Sequence, residues 1–159
     1  MDRTIAVIAE TAGDDLRPVT WEMITLALSL RHDGPAGVTV IVPVARDASC
    51  AGHIARTAGV TVIAAENPAL EHYNPEPWGQ ILHDILTGLR PSLVLAAHTP
   101  AGYDLAPVLA ARMGVDCLTA VESLRIENGL IKTTRALAGG KLIMETAPGA
   151  GDVVTVLPG

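Results

Sequence analysis

Residues 93–104 read Leu93-Val-Leu-Ala-Ala97, followed directly by His98-Thr-Pro-Ala-Gly-Tyr-Asp104. The first five residues form a continuous apolar run of strand length. A strand without polar alternation is typical of a parallel sheet that is covered on both faces. The apolar residues beyond the turn recur at helical spacing and predict a helix from about Gly102 to Met113. A buried strand that leads straight into a helix is the repeating unit of an α/β sheet.

The same alternation of strand and helix runs from the N-terminus up to this unit. The predicted strands are Thr4–Ala9, Val38–Val44, Val60–Ala65 and Leu93–Ala97. The predicted helices are Pro18–Arg31, Asp47–Ala58, Pro77–Leu89 and Gly102–Met113. The turn residues Asp33-Gly-Pro-Ala-Gly37 end the first helix. The pattern therefore predicts an α/β fold, a Rossmann-like three-layer parallel sheet with helices on both faces.

After Gly114 the pattern changes to strands without helices. The predicted strands are Cys117–Ile126, Leu130–Ala136, Leu142–Thr146 and Val153–Leu157. Asn128-Gly129 is a strong signal for a two-residue hairpin, and Gly139-Gly140 marks a further turn. We therefore expect antiparallel C-terminal hairpins joined to the parallel core, within a single domain over residues 1–159.

Composition and charge narrow the functional classes. Nearly half of the 159 residues (49%) are hydrophobic and the net charge is only -6, which excludes a disordered chain. The acidic balance argues against nucleic-acid binding, which needs clustered Lys and Arg. The apolar run Ile5–Ala9 is too short for a signal peptide or a membrane span. Cys50 and Cys117 fit reduced thiols, so we expect a cytoplasmic protein.

Open parallel sheets bind ligands beyond the carboxyl ends of their strands. The turn after Leu93–Ala97 is the strongest candidate there, because its backbone N–H groups could hold an anion. We predict a cofactor-binding role, contacting a nucleotide or a partner, for His98, Thr99, Gly102 and Asp104. The alternatives are structural: Thr99 caps the helix, Gly102 permits a tight turn, and Asp104 caps the helix or pairs with Arg112.

The common sequence motifs for phosphate binding and for a serine nucleophile do not occur in this sequence. It contains neither G-x-x-x-x-G-K-[ST] nor G-x-S-x-G, and no G-x-G-x-x-G follows the first strand. Apart from His83-Asp84, which is typical of an ordinary helix-surface pair, its five histidines do not combine with Cys, Asp or another His at metal-ligand spacing. We therefore predict no catalytic residues and no metal site, and activity of this chain alone is not expected.

Several segments in the same order resemble the N-terminal domain of the electron transfer flavoprotein alpha subunit. The segments are Ile5-Ala-Val-Ile-Ala-Glu10, Leu16-Arg-Pro-Val-Thr20, Asn67-Pro-Ala-Leu-Glu-His-Tyr73, Gly102-Tyr-Asp-Leu-Ala-Pro107, Arg135 with Gly139-Gly-Lys141, and the stretch from Val153 to Gly159. The segment at 102–107 is the most specific. Family members usually carry Gly-Arg-Asp-Leu-Ala-Pro there, so Tyr103 stands in place of an arginine.

The resemblance implies a heterodimer of alpha and beta subunits that carries electrons from flavin dehydrogenases. In that family FAD lies mostly in the alpha C-terminal domain, whose flavin-binding segments have no counterpart here, and AMP or a second flavin lies in beta. The expected role is thus a non-catalytic docking subunit or domain in a hetero-oligomer with a beta-like subunit or a flavin dehydrogenase. FAD or AMP would come from that partner, and this chain alone would bind neither.

Two further possibilities remain open at this point. The chain could instead be an adenine-nucleotide (AMP or ATP) binding module, because the beta subunit holds AMP and universal stress proteins hold ATP on a related sheet. It could also be either a natural short subunit or a fragment of a longer one. In each case an exposed sheet edge or helix face is expected to drive association.

Overall fold

The computed structural model describes residues 4–30 and 37–159. Its strands are β1 (Thr4–Ile8), β2 (Thr11–Ala12), β3 (Asp15–Leu16), β4 (Gly37–Val44), β5 (Thr61–Glu66), β6 (Leu93–Ala97), β7 (Cys117–Val121), β8 (Ser123–Glu127), β9 (Leu130–Leu137), β10 (Leu142–Thr146) and β11 (Val153–Val156). Its α-helices are α1 (Val19–Ser29), α2 (Ser49–Ala58), α3 (Pro75–Leu89) and α4 (Pro100–Met113), with a short 3-10 helix at Pro68–Leu70.

A six-stranded parallel sheet forms the centre, in the order β5-β4-β1-β6-β11-β7. Residues of β1 alternate between its two faces, as strand geometry requires. Ile5 and Val7 pack with α1 and α2, whereas Ala6 and Ile8 pack with α3 and α4. Both faces are therefore covered by helices, which confirms the predicted three-layer α/β architecture.

A second, antiparallel sheet has the order β10-β9-β8. Its first hairpin turns at Asn128 and Gly129, whose φ angles of 52° and 74° lie in the left-handed region that a tight hairpin turn needs. This turn was predicted from the sequence. The turn brings β8 and β9 together in a small sheet beside the parallel one, and β9 contacts β7.

The prediction for the C-terminal strands is wrong in two respects. The strand predicted over Cys117–Ile126 is interrupted at Glu122, which separates β7 from β8. Both β7 and β11 join the parallel sheet rather than a hairpin. The physical reason is burial: all four residues of β11 are buried between β6 and β7, and only a central position in a covered sheet provides that environment.

Helix starts also differ from the prediction. Both α3 and α4 begin earlier than expected, because a proline occupies the first turn and the side chain before it caps the helix. Asn74 caps α3 and Thr99 caps α4. The predicted break at residues 33–36 and the end of the first helix at Arg31 lie outside the described residues, and Gly37 already belongs to β4. None of the helices in the described segments has the length and apolar composition that a membrane crossing requires.

Candidate functional site

The parallel sheet has one topological switch point, between β1 and β6. From β1 the chain adds β4 and β5 on one side, and later β6 and β11 on the other. A crevice opens where the two directions diverge, at the carboxyl ends of the strands. Glu10 follows β1 at this edge, and His98 and Thr99 follow β6.

Glu10 and Thr99 meet across this crevice. The Thr99 hydroxyl donates a hydrogen bond to Glu10 Oε1, and it accepts one from the Gly102 N–H at 3.2 Å. The other oxygen, Glu10 Oε2, is buried and lies 3.6 Å from Arg17 Nη1. Only 12% of the Glu10 side chain is exposed. A carboxylate of the chain itself therefore occupies the mouth of the crevice.

Thr20 fixes the backbone from which Glu10 projects. The Glu10 N–H donates to Thr20 Oγ1 at 2.9 Å, and the Thr20 hydroxyl donates to the Glu10 carbonyl oxygen at 3.2 Å. Thr20 is fully buried in the first turns of α1. The position of the carboxylate is thus set by a packed helix rather than by a free loop.

Gly102 allows the helix to approach the strand. A Cβ atom at this position would lie 1.9 Å from the Ala97 carbonyl oxygen, far inside van der Waals contact. The residue lies in the first turn of α4, so close packing rather than a left-handed turn explains the glycine. The structural alternative for Thr99, a helix cap, is likewise what the structure shows.

The other two predicted residues point to different neighbours. His98 Nδ1 lies 2.8 Å from the Thr155 hydroxyl oxygen in β11, and its ring packs edge-on against Tyr103. Asp104 Oδ2 accepts a hydrogen bond from the Tyr73 hydroxyl at 2.8 Å. Arg112, the expected ion-pair partner of Asp104, donates instead to Gln80 Oε1 at 2.8 Å.

A cleft of about 260 Å³ lies beside the crevice. Glu10 and Arg17 line one part of it, and Tyr73 and Trp78 line another. The two aromatic rings pack edge to face with centroids 5.4 Å apart. Trp78 is 8% exposed, and within the described part of the chain its Nε1 has no hydrogen-bond partner.

Comparison with known proteins identifies the family of this chain. Residues 5–159 match the family described as "Electron transfer flavoprotein domain". The chain belongs to the electron transfer flavoprotein domain family. The resemblance drawn from the sequence motifs is thereby confirmed.

Three relatives illustrate the range of proteins that carry this domain. The electron transfer flavoprotein subunit alpha of Bacillus subtilis is 28% identical over 142 residues, covering 89% of this chain and 43% of the relative. That of Mycobacterium tuberculosis is 31% identical over 156 residues, covering 98% and 47%. Subunit LctC of the lactate dehydrogenase (NAD(+),ferredoxin) of Acetobacterium woodii is 27% identical, covering 90% and 34%. The chain spans less than half the length of these curated relatives.

In this electron transfer flavoprotein domain three side chains, those of Tyr73, Cys50 and Cys117, have a raised pKa. Burial, followed by the hydrogen bond to Asp104, raises the pKa of Tyr73 well above its ordinary value. Burial also raises the pKa of the Cys50 and Cys117 thiols. A thiol with a raised pKa is a weak nucleophile at neutral pH, because the thiolate is the reactive form.

Sequence reasoning found part of this region and missed part of it. Of the four predicted residues of this flavoprotein domain, Thr99 contacts Glu10 and Gly102 donates to Thr99, whereas His98 and Asp104 have partners elsewhere. Sequence reasoning missed Glu10 as a member of the site, although the position of Glu10 directly after β1 was a usable signal. Trp78 gave no signal beyond that of a core residue on an amphipathic helix. Binding of a cofactor by the four residues remains a prediction.

Proposed function

We propose that this chain is a non-catalytic docking component of an electron transfer flavoprotein-like complex. It pairs with a beta-like subunit or a flavin dehydrogenase in the cytoplasm, and the partner brings the FAD or AMP. The family match over residues 5–159 and the named relatives support a role in electron transfer.

The contact between Glu10 and Thr99 is the observation that carries this proposal. In related nucleotide-binding sheets a phosphate would lie at the helix N-terminus that follows the strand. Here a mostly buried carboxylate lies against that N-terminus, and Thr99 already satisfies the Gly102 N–H. A phosphate placed there would be repelled by a like charge at short range. The residues of the crevice therefore stabilise the fold, and the crevice is poorly suited to bind a nucleotide.

The adenine-nucleotide alternative has one feature in its favour. The cleft lies beside the switch point, where such ligands bind in open α/β sheets, and the Nε1 donor of Trp78, which lines the cleft, has no partner among the described residues. The Glu10 carboxylate is the feature against it. We therefore keep nucleotide binding as the outcome that would replace the docking proposal.

Capture from a lysate of the source organism tests the docking proposal. The tagged chain should retain a flavin-containing electron transfer flavoprotein subunit or a flavin dehydrogenase, identified by mass spectrometry and by flavin absorbance. An excess of the untagged chain should displace this partner, which controls for nonspecific retention. Recovery of no flavoprotein would overturn the proposal.

Calorimetry with AMP, ADP, ATP and FAD separates the two functions. The wild-type chain should bind none of them at about 1 mM ligand, a limit of weak association. Glu10→Gln is the matched variant, because it can keep the hydrogen bond from Thr99 while removing the charge. Binding by the wild-type chain at about 1 µM would establish the nucleotide module instead. Binding by the variant alone would support exclusion of nucleotides by the Glu10 charge.

A further inference from the structure

Strand β10 forms an open edge of the antiparallel sheet. It pairs with β9 on one side, and no strand within residues 4–30 and 37–159 pairs with its other side. Leu142 is 61% exposed, Ile143 is 77% exposed and Met144 is 37% exposed. An exposed apolar edge strand offers unpaired backbone groups and apolar side chains to another strand. This edge is therefore a candidate interaction surface.

The sequence of the edge is complementary to itself when it is reversed. Lys141-Leu-Ile-Met-Glu145 carries a positive charge at one end, three apolar residues, and a negative charge at the other end. If two copies pair antiparallel about Ile143, Lys141 of each copy lies opposite Glu145 of the other. Leu142 then lies opposite Met144, and Ile143 lies opposite itself. Opposite charges across a strand pair are favourable and like charges are unfavourable.

The faces of the strand agree with this register. Alternation places Lys141, Ile143 and Glu145 on one face, and Leu142 and Met144 on the other. The observed pairing with β9 fits, since Ile143 lies opposite Ala136 and Glu145 opposite Thr134, whereas Leu142 lies opposite Leu137. A slip of one residue would set Ile143 opposite Met144 or Leu142 and leave both charges without a partner.

Arg125 orients the Glu145 side chain, which stays accessible to solvent. Arg125 Nη2 donates to its Oε2 at 2.6 Å, which orients the carboxylate. The Glu145 side chain is still 45% exposed, so its second oxygen can accept a hydrogen bond from a lysine. Lys141 is exposed in the turn that precedes β10.

From this geometry we propose that β10 pairs antiparallel with β10 of a second copy of this chain. The two small sheets then form one six-stranded sheet in the order β8-β9-β10-β10-β9-β8. The contact is a two-fold one in which the same surface serves both copies. The occupant is a second copy because the charge pattern of this strand is matched by its own reverse. The proposal does not depend on the docking function.

A charge-exchange experiment tests the pairing and its register together. Lys141→Glu and Glu145→Lys each place like charges opposite each other in the homodimer, and each should raise the dimer dissociation constant at least about tenfold. An equal mixture of the two variants should recover the dimer, because both cross pairs then become opposite in charge. Sedimentation velocity from about 1 µM to about 1 mM gives the constants, and native mass spectrometry identifies the mixed dimer.

A disulfide experiment tests the residue at the two-fold axis. In a chain with Cys50→Ala and Cys117→Ala, Ile143→Cys should form a disulfide-linked dimer in a glutathione redox buffer, because opposed Cβ atoms lie close enough. Leu142→Cys is the matched control, since its opposite residue is Met144 rather than a second cysteine. These side chains are exposed, so circular dichroism should show the same fold for both variants.

Four outcomes would overturn the proposal. The first is a wild-type chain that stays monomeric at about 1 mM. The second is a dimer that none of the β10 substitutions weakens. The third is cross-linking of Leu142→Cys as fast as that of Ile143→Cys. Loss of flavoprotein capture in β10 variants of a monomeric chain would assign the edge to that partner instead, and so refute self-pairing.

Discussion

The two sheets use the same apolar residue types in opposite ways. In the parallel sheet, seven of the eight residues of β4 are buried, and Ile41 is fully inaccessible. In the antiparallel sheet, four of the five residues of β10 are exposed, and Ile143 is 77% exposed. Both strands contain isoleucine in an apolar stretch. An apolar run therefore identifies a strand, but only its neighbours determine whether it stabilises the fold or is available for association.

The difference follows from what covers each sheet. Helices pack on both faces of the parallel sheet, so its side chains lose their contact with water when the chain folds. The far end of the antiparallel hairpin extends beyond the core, and there Leu142 and Ile143 remain in water. The parallel sheet should therefore carry most of the free energy of unfolding, and β10 should carry little of it.

The sharpest test of this comparison is a pair of matched substitutions. Ile41→Ala in β4 should lower the free energy of unfolding by about 2–5 kcal/mol, because it leaves a cavity in a packed core. Ile143→Ala in β10 should change it by no more than about 0.5 kcal/mol. Urea unfolding at low protein concentration measures both without a contribution from dimers. Equal losses would contradict the division between the two sheets.

A smaller effect is expected where α4 meets β6. Gly102→Ala places a Cβ against the Ala97 carbonyl oxygen, so we expect a loss of about 1–3 kcal/mol from overpacking. Gly88→Ala is the control within a helix: it meets open space in α3 and should stabilise the fold by up to about 1 kcal/mol. Thermal unfolding of both variants gives the signs. If Gly102→Ala left the stability unchanged, the carboxyl edge of the parallel sheet would tolerate an added side chain as readily as the antiparallel sheet does.

Local patterns predicted the parallel strands well and their neighbours poorly. The continuous apolar runs of β1, β4 and β6 predicted buried strands, because burial on both faces leaves no polar alternation. The run Val153–Val156 has the same character, yet it was assigned to a hairpin because it follows two hairpin signals. Pairing with β6 depends on residues far away in the chain, and local periodicity carries no information about such partners.

The candidate site shows the same limit. The cap at Thr99 was predictable, because Thr followed by Pro before an apolar stripe is a local signal for a helix start. Its contact with Glu10 joins residues 89 positions apart, so it became visible only in the folded chain. The bond between Tyr73 and Asp104 likewise depends on the packing of α3 against α4.

The carboxyl edge can be tested by removing the Thr99 hydroxyl. Thr99→Val keeps the shape of the side chain but loses both the helix cap and the bond to Glu10, so we expect a loss of about 0.5–2 kcal/mol. Thr99→Ser retains the hydroxyl and should recover most of this stability. Chemical unfolding of the two variants compares them. If Thr99→Val matched the wild-type chain, the crevice would add nothing to the stability of the parallel region.

The smallest expected effect is a pH dependence at Tyr73. Burial and the hydrogen bond to Asp104 raise the pKa of Tyr73 in the folded chain, whereas the pKa of an unfolded tyrosine is about 10. Below that pH both states hold the proton, so Tyr73 adds no pH dependence. Above it the unfolded chain releases the proton first, and the free energy of unfolding should fall as the pH rises. Tyr73→Phe should make this decline shallower, whereas Tyr103→Phe removes the other tyrosine as the matched control. Urea unfolding at a series of pH values measures the slopes. Equal slopes for Tyr73→Phe and the wild-type chain would mean that the bond to Asp104 does not persist in solution. This part of the parallel region would then be as exposed to solvent as β10.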